Sequence, residues 1–213
     1  MRKRPNCTKR EEILSVAKRL FIKKGYEDTS VRDIVKEANT SMGNLYFHFP
    51  NKLNILTIVC REFIRVLRNK IYKVHAMGLS PEVGFALAFR IGYITTLEDP
   101  KLSKFWLEVR NISDIHNFSL ENKKIRLNTF FGDRISDAQL TYLAAAMQGI
   151  ADSIYELKQS GELYGDSTVF SNMIIDFCLR LLGFSEDRIK SVIQEVECYI
   201  RREHITVDKY FKY

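Results

Sequence analysis

The sequence predicts an all-α protein: a three-helix helix-turn-helix domain at the N-terminus, and a long helix that joins it to a larger helical domain. Three observations carry this. Apolar residues recur at three- and four-residue spacing along most of the chain. Gly (10) and Pro (4) are too sparse in 213 residues for the turns of a many-stranded sheet. Ser, Thr, Asp and Asn stand as caps in front of the apolar stripes, with acids in the first turns.

The elements follow in order. A first helix starts at Thr8 or Lys9, with Glu11 and Glu12 in its first turn, and buries Ile13, Leu14, Ala17, Leu20 and Phe21. Lys23-Lys24-Gly25 supplies a basic last turn and a C′ glycine. The second helix follows a Thr29 or Ser30 cap, with Val31, Ile34, Val35 and Ala38 on one face. Asn39-Thr40-Ser41 is the turn, where Asn tolerates positive φ better than most residues. The third helix runs Met42 to Phe49, with Leu45 and Phe49 inward and Pro50 ending it. The fourth, about Lys52 to Ala76, carries Leu53, Leu56, Val59, Cys60, Phe63, Leu67 and Ile71 as its stripe. It spans more than about 30 Å, enough to join two bodies. Ser80-Pro81-Glu82 starts a fifth helix that reaches about Glu98. A sixth covers Lys101 to Asp114 and a seventh Ser119 to Phe131. An eighth runs from Ser136-Asp137 to Gln159, a ninth from Asp166-Ser167 to Gly183, and a tenth from Ser185-Glu186 to Glu203. The tail TVDKYFKY has no pattern. The expected domains are 1–52 and 53–213.

Charge divides unevenly. Residues 1–52 hold 12 Lys+Arg against 6 Asp+Glu, so nearly all of the chain's +7 lies in its first quarter. That asymmetry suits an anionic polymer bound at one end, or a solvated basic N-terminus. Arg2 to Arg4 form a basic arm, able to follow phosphates or to act as a solubilising tail. Cys7, Cys60, Cys178 and Cys198 lie far apart, which argues against a zinc site or disulfide framework and for a reducing cytoplasm. The N-terminus lacks an apolar signal-peptide core, and no apolar run is long enough for a membrane. The four histidines (His48, His75, His116, His204) make no metal spacing, and no phosphate loop or nucleophile elbow is present. No catalytic residue, metal or cofactor is expected.

Gly25-Tyr26, Thr29-Ser30-Val31-Arg32-Asp33-Ile34, Leu45-Tyr46-Phe47-His48-Phe49-Pro50 and Lys52 closely resemble the TetR family of bacterial transcription regulators. The likeness covers about Thr8 to Leu56. Asn39 stands where many members have Gly, and Met42 where many have Lys or another polar residue. The helices beyond are similar in layout to that family's ligand-binding and dimerisation domain. The resemblance implies double-stranded operator DNA as partner, a homodimer, and a small-molecule effector.

On that basis the third helix reads DNA. A recognition helix enters the major groove only where its face is narrow. Gly43 permits close approach, Asn44 is the best candidate base reader by pairing with adenine, and Met42 can touch a thymine methyl. Thr40 or Ser41 caps this helix at the groove. Tyr46 offers its hydroxyl to a phosphate or is a core aromatic. His48 does likewise or packs under the domain. Lys52 meets a phosphate at a helix N-terminus, and Thr29 or Arg32 holds the opposite strand. Two copies are needed for useful affinity. The expected seam is the eighth and ninth helices, through Leu143, Met147, Ile150, Ile154, Phe170, Ile174, Phe177 and Leu181. Expected effector contacts are Phe89, Tyr93, Trp106, Arg110 and Met147, drawn from the aromatic middle of the chain, with Glu108, His116 and Gln148 as further polar anchors. Two rival readings keep a place: a DNA-binding protein controlled by a protein partner, and an all-α enzyme.

Overall fold

The computed structural model describes residues 8–97 and 99–203, apart from the side chains of 94, 95 and 97. The basic arm, Cys7, His204 and the C-terminal tail lie outside the described residues. The described chain is ten helices and no strand: α1 (Lys9–Lys24), α2 (Val31–Glu37), α3 (Met42–His48), α4 (Lys52–His75), α5 (Pro81–Leu97), α6 (Pro100–Val109), α7 (Ser113–Phe131), α8 (Asp137–Ser160), α9 (Ser167–Leu181) and α10 (Glu186–Arg202).

The caps form as their side chains require. Thr8 accepts from Glu11 N at 3.3 Å while Glu11 Oε2 takes Thr8 N at 2.9 Å. Ser30 with Asp33 and Ser136 with Gln139 repeat this reciprocal pair. Each such cap satisfies two otherwise orphaned donors and contributes about 1 kcal/mol. Asn39 has φ 45°, the left-handed conformation expected of the turn between α2 and α3.

One boundary differs. α6 stops at Val109 rather than Asp114, and α7 starts at Ser113 rather than Ser119. The break at Arg110–Ile112 carries no Gly or Pro, and Ile112 makes no side-chain cap, so nothing local announced it. On α4, Leu53 is exposed, while Ile55, Ile64 and Val74 join the buried set.

The helices bury two apolar clusters. The first holds α1, α2 and α3 together and does not stop at residue 52. It takes Ile55, Leu56, Val59, Cys60 and Phe63 from α4, and Leu102, Phe105 and Val109 from α6. The second is built from the far end of α4 with α5, α7, α8, α9 and α10. α5 runs through its middle, in contact with α4, α7, α9 and α10. α5 and α7 meet closely at Gly84, where any Cβ would lie 2.6 Å from Phe130. Arg188 of α10 grips Glu82 at the start of α5 with two nitrogens, at 3.0 and 2.7 Å. No helix among the described residues is long and apolar enough to cross a membrane.

Candidate nucleic-acid interface and cavity

α3 presents its reading face because Leu45 and Phe49 are fully buried and fix its rotation. That leaves Met42, Gly43, Tyr46 and Phe47 facing outward, at helical spacing i, i+1, i+4 and i+5. A Cβ on Gly43 would meet nothing within 4 Å, so the helix N-terminus is open to a large partner. Ser41 caps α3 by accepting from Asn44 N at 3.1 Å. Asn44 is half-buried, and its Nδ2 donates to Thr40 Oγ1 at 2.8 Å. One amide hydrogen is thus held in place, and the other hydrogen and Oδ1 remain for a bidentate partner. Tyr46 is 48% exposed. His48 is half-buried, edge-on to Phe47 at 5.1 Å and Phe49 at 6.3 Å.

The flanking candidates separate. Arg32 is exposed at the start of α2, with no ion pair among the described residues. Thr29 is fully buried and its hydroxyl donates to Gly25 O at 2.7 Å, so its side chain is engaged internally. Lys52 is half-buried. Its Nζ donates to Tyr26 O at 2.9 Å and Thr29 O at 3.1 Å, and sits 4.1 Å from the Tyr26 ring centre. It ties α4 to the loop between α1 and α2. Asn51 caps α4 through Asn54 N at 2.7 Å.

Two residues at this end take places that the sequence does not assign them: it reads Phe47 as outward or core and not as a site residue, and Glu108 as a pocket anchor. Phe47 is 83% exposed on α3, the most exposed side chain of the reading face. Its place one residue from Tyr46 and opposite Leu45 was the available signal. Glu108 of α6 accepts from the backbone N–H groups of Tyr26 at 2.9 Å and Glu27 at 2.6 Å. Burial, then the charges of Glu27 and Glu108, push the Tyr26 phenol up. Gly25, at φ 103°, turns the chain into this grip, and a Cβ there would lie 2.9 Å from Glu108 Oε2. No spacing rule links residues 82 apart, so Glu108 read as a pocket anchor in the sequence.

Behind the head lies a cavity of about 110 Å³. Its lining is Phe63, Ile64 and Leu67 of α4, Phe89, Gly92, Tyr93 and Thr96 of α5, Trp106 of α6, Ser119, Asn122, Lys123 and Arg126 of α7, and Ala151 and Tyr155 of α8. A lobe of about 70 Å³, lined also by Arg110, Gln148 and Asp152, shares Trp106, Ser119, Lys123 and Tyr155 with it. Of the expected effector contacts, Phe89, Tyr93 and Trp106 therefore stand at the main cavity and Arg110 at the lobe. Met147 lines neither and is a core residue. Arg110 is paired with Asp152 at 3.3 Å and with Glu156. Ser119, Asn122, Lys123 and Arg126 were missed, although their spacing of i, i+3, i+4 and i+7 marks one polar face of α7.

Of the expected seam, Phe177 (48%) and Leu181 (50%) are exposed on α9, and Leu143 and Ile150 are half-buried on α8. Met147, Ile154, Phe170 and Ile174 are enclosed in the chain's own core, because α8 packs on α7 and α9, and α9 packs on α5. Tyr142 and Val169, not foreseen, join the exposed apolar set.

Residues 13–57 match the family model described as bacterial regulatory proteins, tetR family. The HTH-type transcriptional regulator QacR of Staphylococcus aureus is 52% identical over 46 residues, 22% of this chain and 24% of that protein. The HTH-type transcriptional repressor AcnR of Corynebacterium diphtheriae is 28% identical over 148 residues, 66% of this chain and 78% of that protein. Coverage of relatives is thus uneven, and for QacR it is about a quarter of the length. Among solved structures, RolR in complex with resorcinol superposes with a TM-score of 0.67 at 17% identity, over 87% of this chain and 92% of that one. Bacillus subtilis FadR in complex with stearoyl-CoA gives 0.60 at 18% identity, over 78% and 96%. The N-terminal helices are alike in sequence and the remaining helices are alike in fold: residues 13–57 form an N-terminal domain of the tetR family of bacterial regulatory proteins, on a chain whose fold is shared with RolR and FadR.

Proposed function

We propose that the chain is a repressor that binds a palindromic operator as a homodimer and leaves it when a small molecule fills the cavity. One observation carries the reading: the head and the cavity are built on the same two helices. α4 gives Val59 and Cys60 to the head's core and Ile64 and Leu67 to the cavity wall. α6 gives Phe105 and Val109 to that core, Trp106 to the wall, and Glu108 to the loop before α2. A ligand that shifts α4 or α6 therefore re-aims α3. In this reading Met42, Gly43 and Asn44 face base edges, with Thr40 and Ser41 holding Asn44 in register. Tyr46, Arg32 and Lys52 attend phosphates, His48 stays beneath them, and Thr29 acts through its loop. The partner subunit packs on the outer face of α8 and α9, through Leu143, Ile150, Phe177 and Leu181, making a four-helix seam. The cavity favours a small effector over control by a protein partner alone. AcnR is named a repressor, and RolR and FadR were solved with resorcinol and stearoyl-CoA.

The test is selection of bound sequences from random DNA with the full chain, followed by sedimentation of the complex. Two inverted half-sites bound by two subunits are expected. A non-repeated site bound by one subunit defeats the reading.

A further inference from the structure

The cavity's charge is one-sided. Among the described residues its lining holds two cations, Lys123 and Arg126, and no carboxylate. Arg126 is buried, with no ion pair or hydrogen bond among the described residues, and its Nε has no partner. Its guanidinium lies 4.8 Å from the Phe89 ring centre, and Phe89 stacks on Tyr93 at 4.9 Å and 16°. α5 admits it at Gly92, where a Cβ would stand 4.0 Å from Nη2. Lys123 donates to Ser119 Oγ at 3.0 Å and to Gln148 Oε1, both neutral. The nearby carboxylate, Asp152, lines the lobe and is engaged by Arg110 and by Gln148 Nε2. On lining residues Tyr93 OH and Trp106 Nε1 lack partners, as does one acceptor, Asn122 Oδ1, so with Arg126 Nε the unused donors outnumber the acceptors. Burial, then the charge of Arg126, pushes the Lys123 ammonium down to about 8, and burial pushes Arg126 down to about 10. A buried cation beside a half-buried one, with the nearest carboxylate already engaged elsewhere, is costly unless something anionic joins them.

We infer that the cavity takes a small aromatic carboxylate, its ring against Phe89, Tyr93 and Trp106 and its anion between Lys123 and Arg126. This rests on the reading of the cavity as the effector site and adds the effector's chemical class. The cavity of about 110 Å³ and the adjoining lobe of about 70 Å³ together suit a single ring with a small substituent, since an apolar cavity of about 150 Å³ holds benzene. A cationic ligand meets two like charges and no free carboxylate.

Benzoate, benzamide and benzylamine share a ring and differ in charge, so titrating each into the full chain by calorimetry tests the assignment. Benzoate is expected to bind at least about tenfold more tightly than benzamide, and benzylamine not at all. Lys123→Met and Arg126→Met each lower benzoate affinity by about tenfold or more and leave benzamide unchanged. Arg126→Lys, with the charge kept, retains most of the binding and covers the case in which a Met variant misfolds. Equal affinity for benzamide, tighter binding of benzylamine, no binding of benzoate at millimolar concentration, or full benzoate binding by folded Met variants overturns the inference. Operator DNA separates the two readings. Charge-dependent benzoate binding that leaves the DNA complex intact sinks release and keeps the anion site. Release by benzylamine or benzamide does the reverse.

Discussion

Glu108→Ala removes the carboxylate that holds the loop between α1 and α2. Its two oxygens accept from Tyr26 N at 2.9 Å and Glu27 N at 2.6 Å. A hydrogen bond to a charged group contributes about 1.5–3 kcal/mol. The Glu27 bond is exposed, so water replaces much of it once the carboxylate is gone. The Tyr26 bond is partly buried and loses more. The expected loss of stability is therefore about 2 kcal/mol, below the sum of two full bonds. Glu108→Gln keeps one acceptor and loses the charge, for about 1 kcal/mol. Urea unfolding reads both values, and hydrogen exchange at the Tyr26 and Glu27 amides locates the effect. In the same variant the cavity loses one of its two routes to the head, so any effect of ligand on operator affinity shrinks. Unchanged exchange at both amides, with unchanged stability, would refute the grip.

The remaining predictions are shorter. Lys52→Ala loses two carbonyl contacts and the face of Tyr26, so it lowers stability by about 1–3 kcal/mol as well as weakening DNA binding on every sequence. Tyr46→Phe weakens binding uniformly without that loss, and Asn44→Ala relaxes base preference; a selected-sequence profile unchanged by Asn44→Ala removes it as a reader. Phe177→Glu with Leu181→Glu puts charge on the outer face of α9 and is expected to give monomers in sedimentation, whereas an unchanged dimer moves the seam elsewhere. Lys123 gives a pH signature: its folded value of about 8 lies below the ordinary lysine value of 10.5, so the unfolded chain holds the proton longer. Stability therefore rises with pH across about 8 to 10.5, and benzoate affinity falls as pH rises through about 8. The groups facing it are Arg126 on α7, Tyr93 on α5, Asp152 and Tyr155 on α8, Arg110 at the end of α6 and Cys178 on α9. Burial raises Tyr93, Tyr155 and Cys178, which keeps them neutral there.

What the sequence made legible is what is local. Thr8 with Glu11, Ser136-Asp137 and Asp166-Ser167 fix helix starts through side chains within three residues. Asn39 marks its turn because few other residues adopt φ 45°. The rotation of α3 follows from Leu45 and Phe49. Non-local facts were not legible. Lys52 reads as a free cation at a helix start until its position over Tyr26, 26 residues away, is known. Phe170 and Ile174 read as seam residues because an apolar stripe does not say whether it faces its own chain or a copy. Lys123 and Arg126 sit on a regular polar face of α7, and sequence alone takes such a face for a solvated one.

Under the proposed release mechanism, the size of the cavity also limits the strength of the switch. α4 has 24 residues, so it is a lever of about 36 Å. A tilt of about 3° at one end moves the other by about 2 Å over that length, a large displacement against the hydrogen-bond tolerance of base reading. Geometry is therefore easily disturbed, and energy sets the limit. A ligand shifts the equilibrium only by its differential affinity for the two arrangements of the heads. At one hundred times its dissociation constant it contributes about 2.7 kcal/mol per site if it binds one arrangement alone. Two sites in a dimer then lower operator affinity by roughly four powers of ten. A one-ring ligand reaches that limit only if its binding is concentrated in groups that differ between the arrangements. Trp106 is placed for this, because it lines the cavity two residues from Glu108 on the same short helix. On this argument Trp106→Phe lowers ligand affinity modestly but reduces release disproportionately, whereas Phe89→Leu lowers affinity and release in step. Measuring both quantities for both variants decides whether α6 carries the signal, and equal ratios for the two assign it to α4 alone.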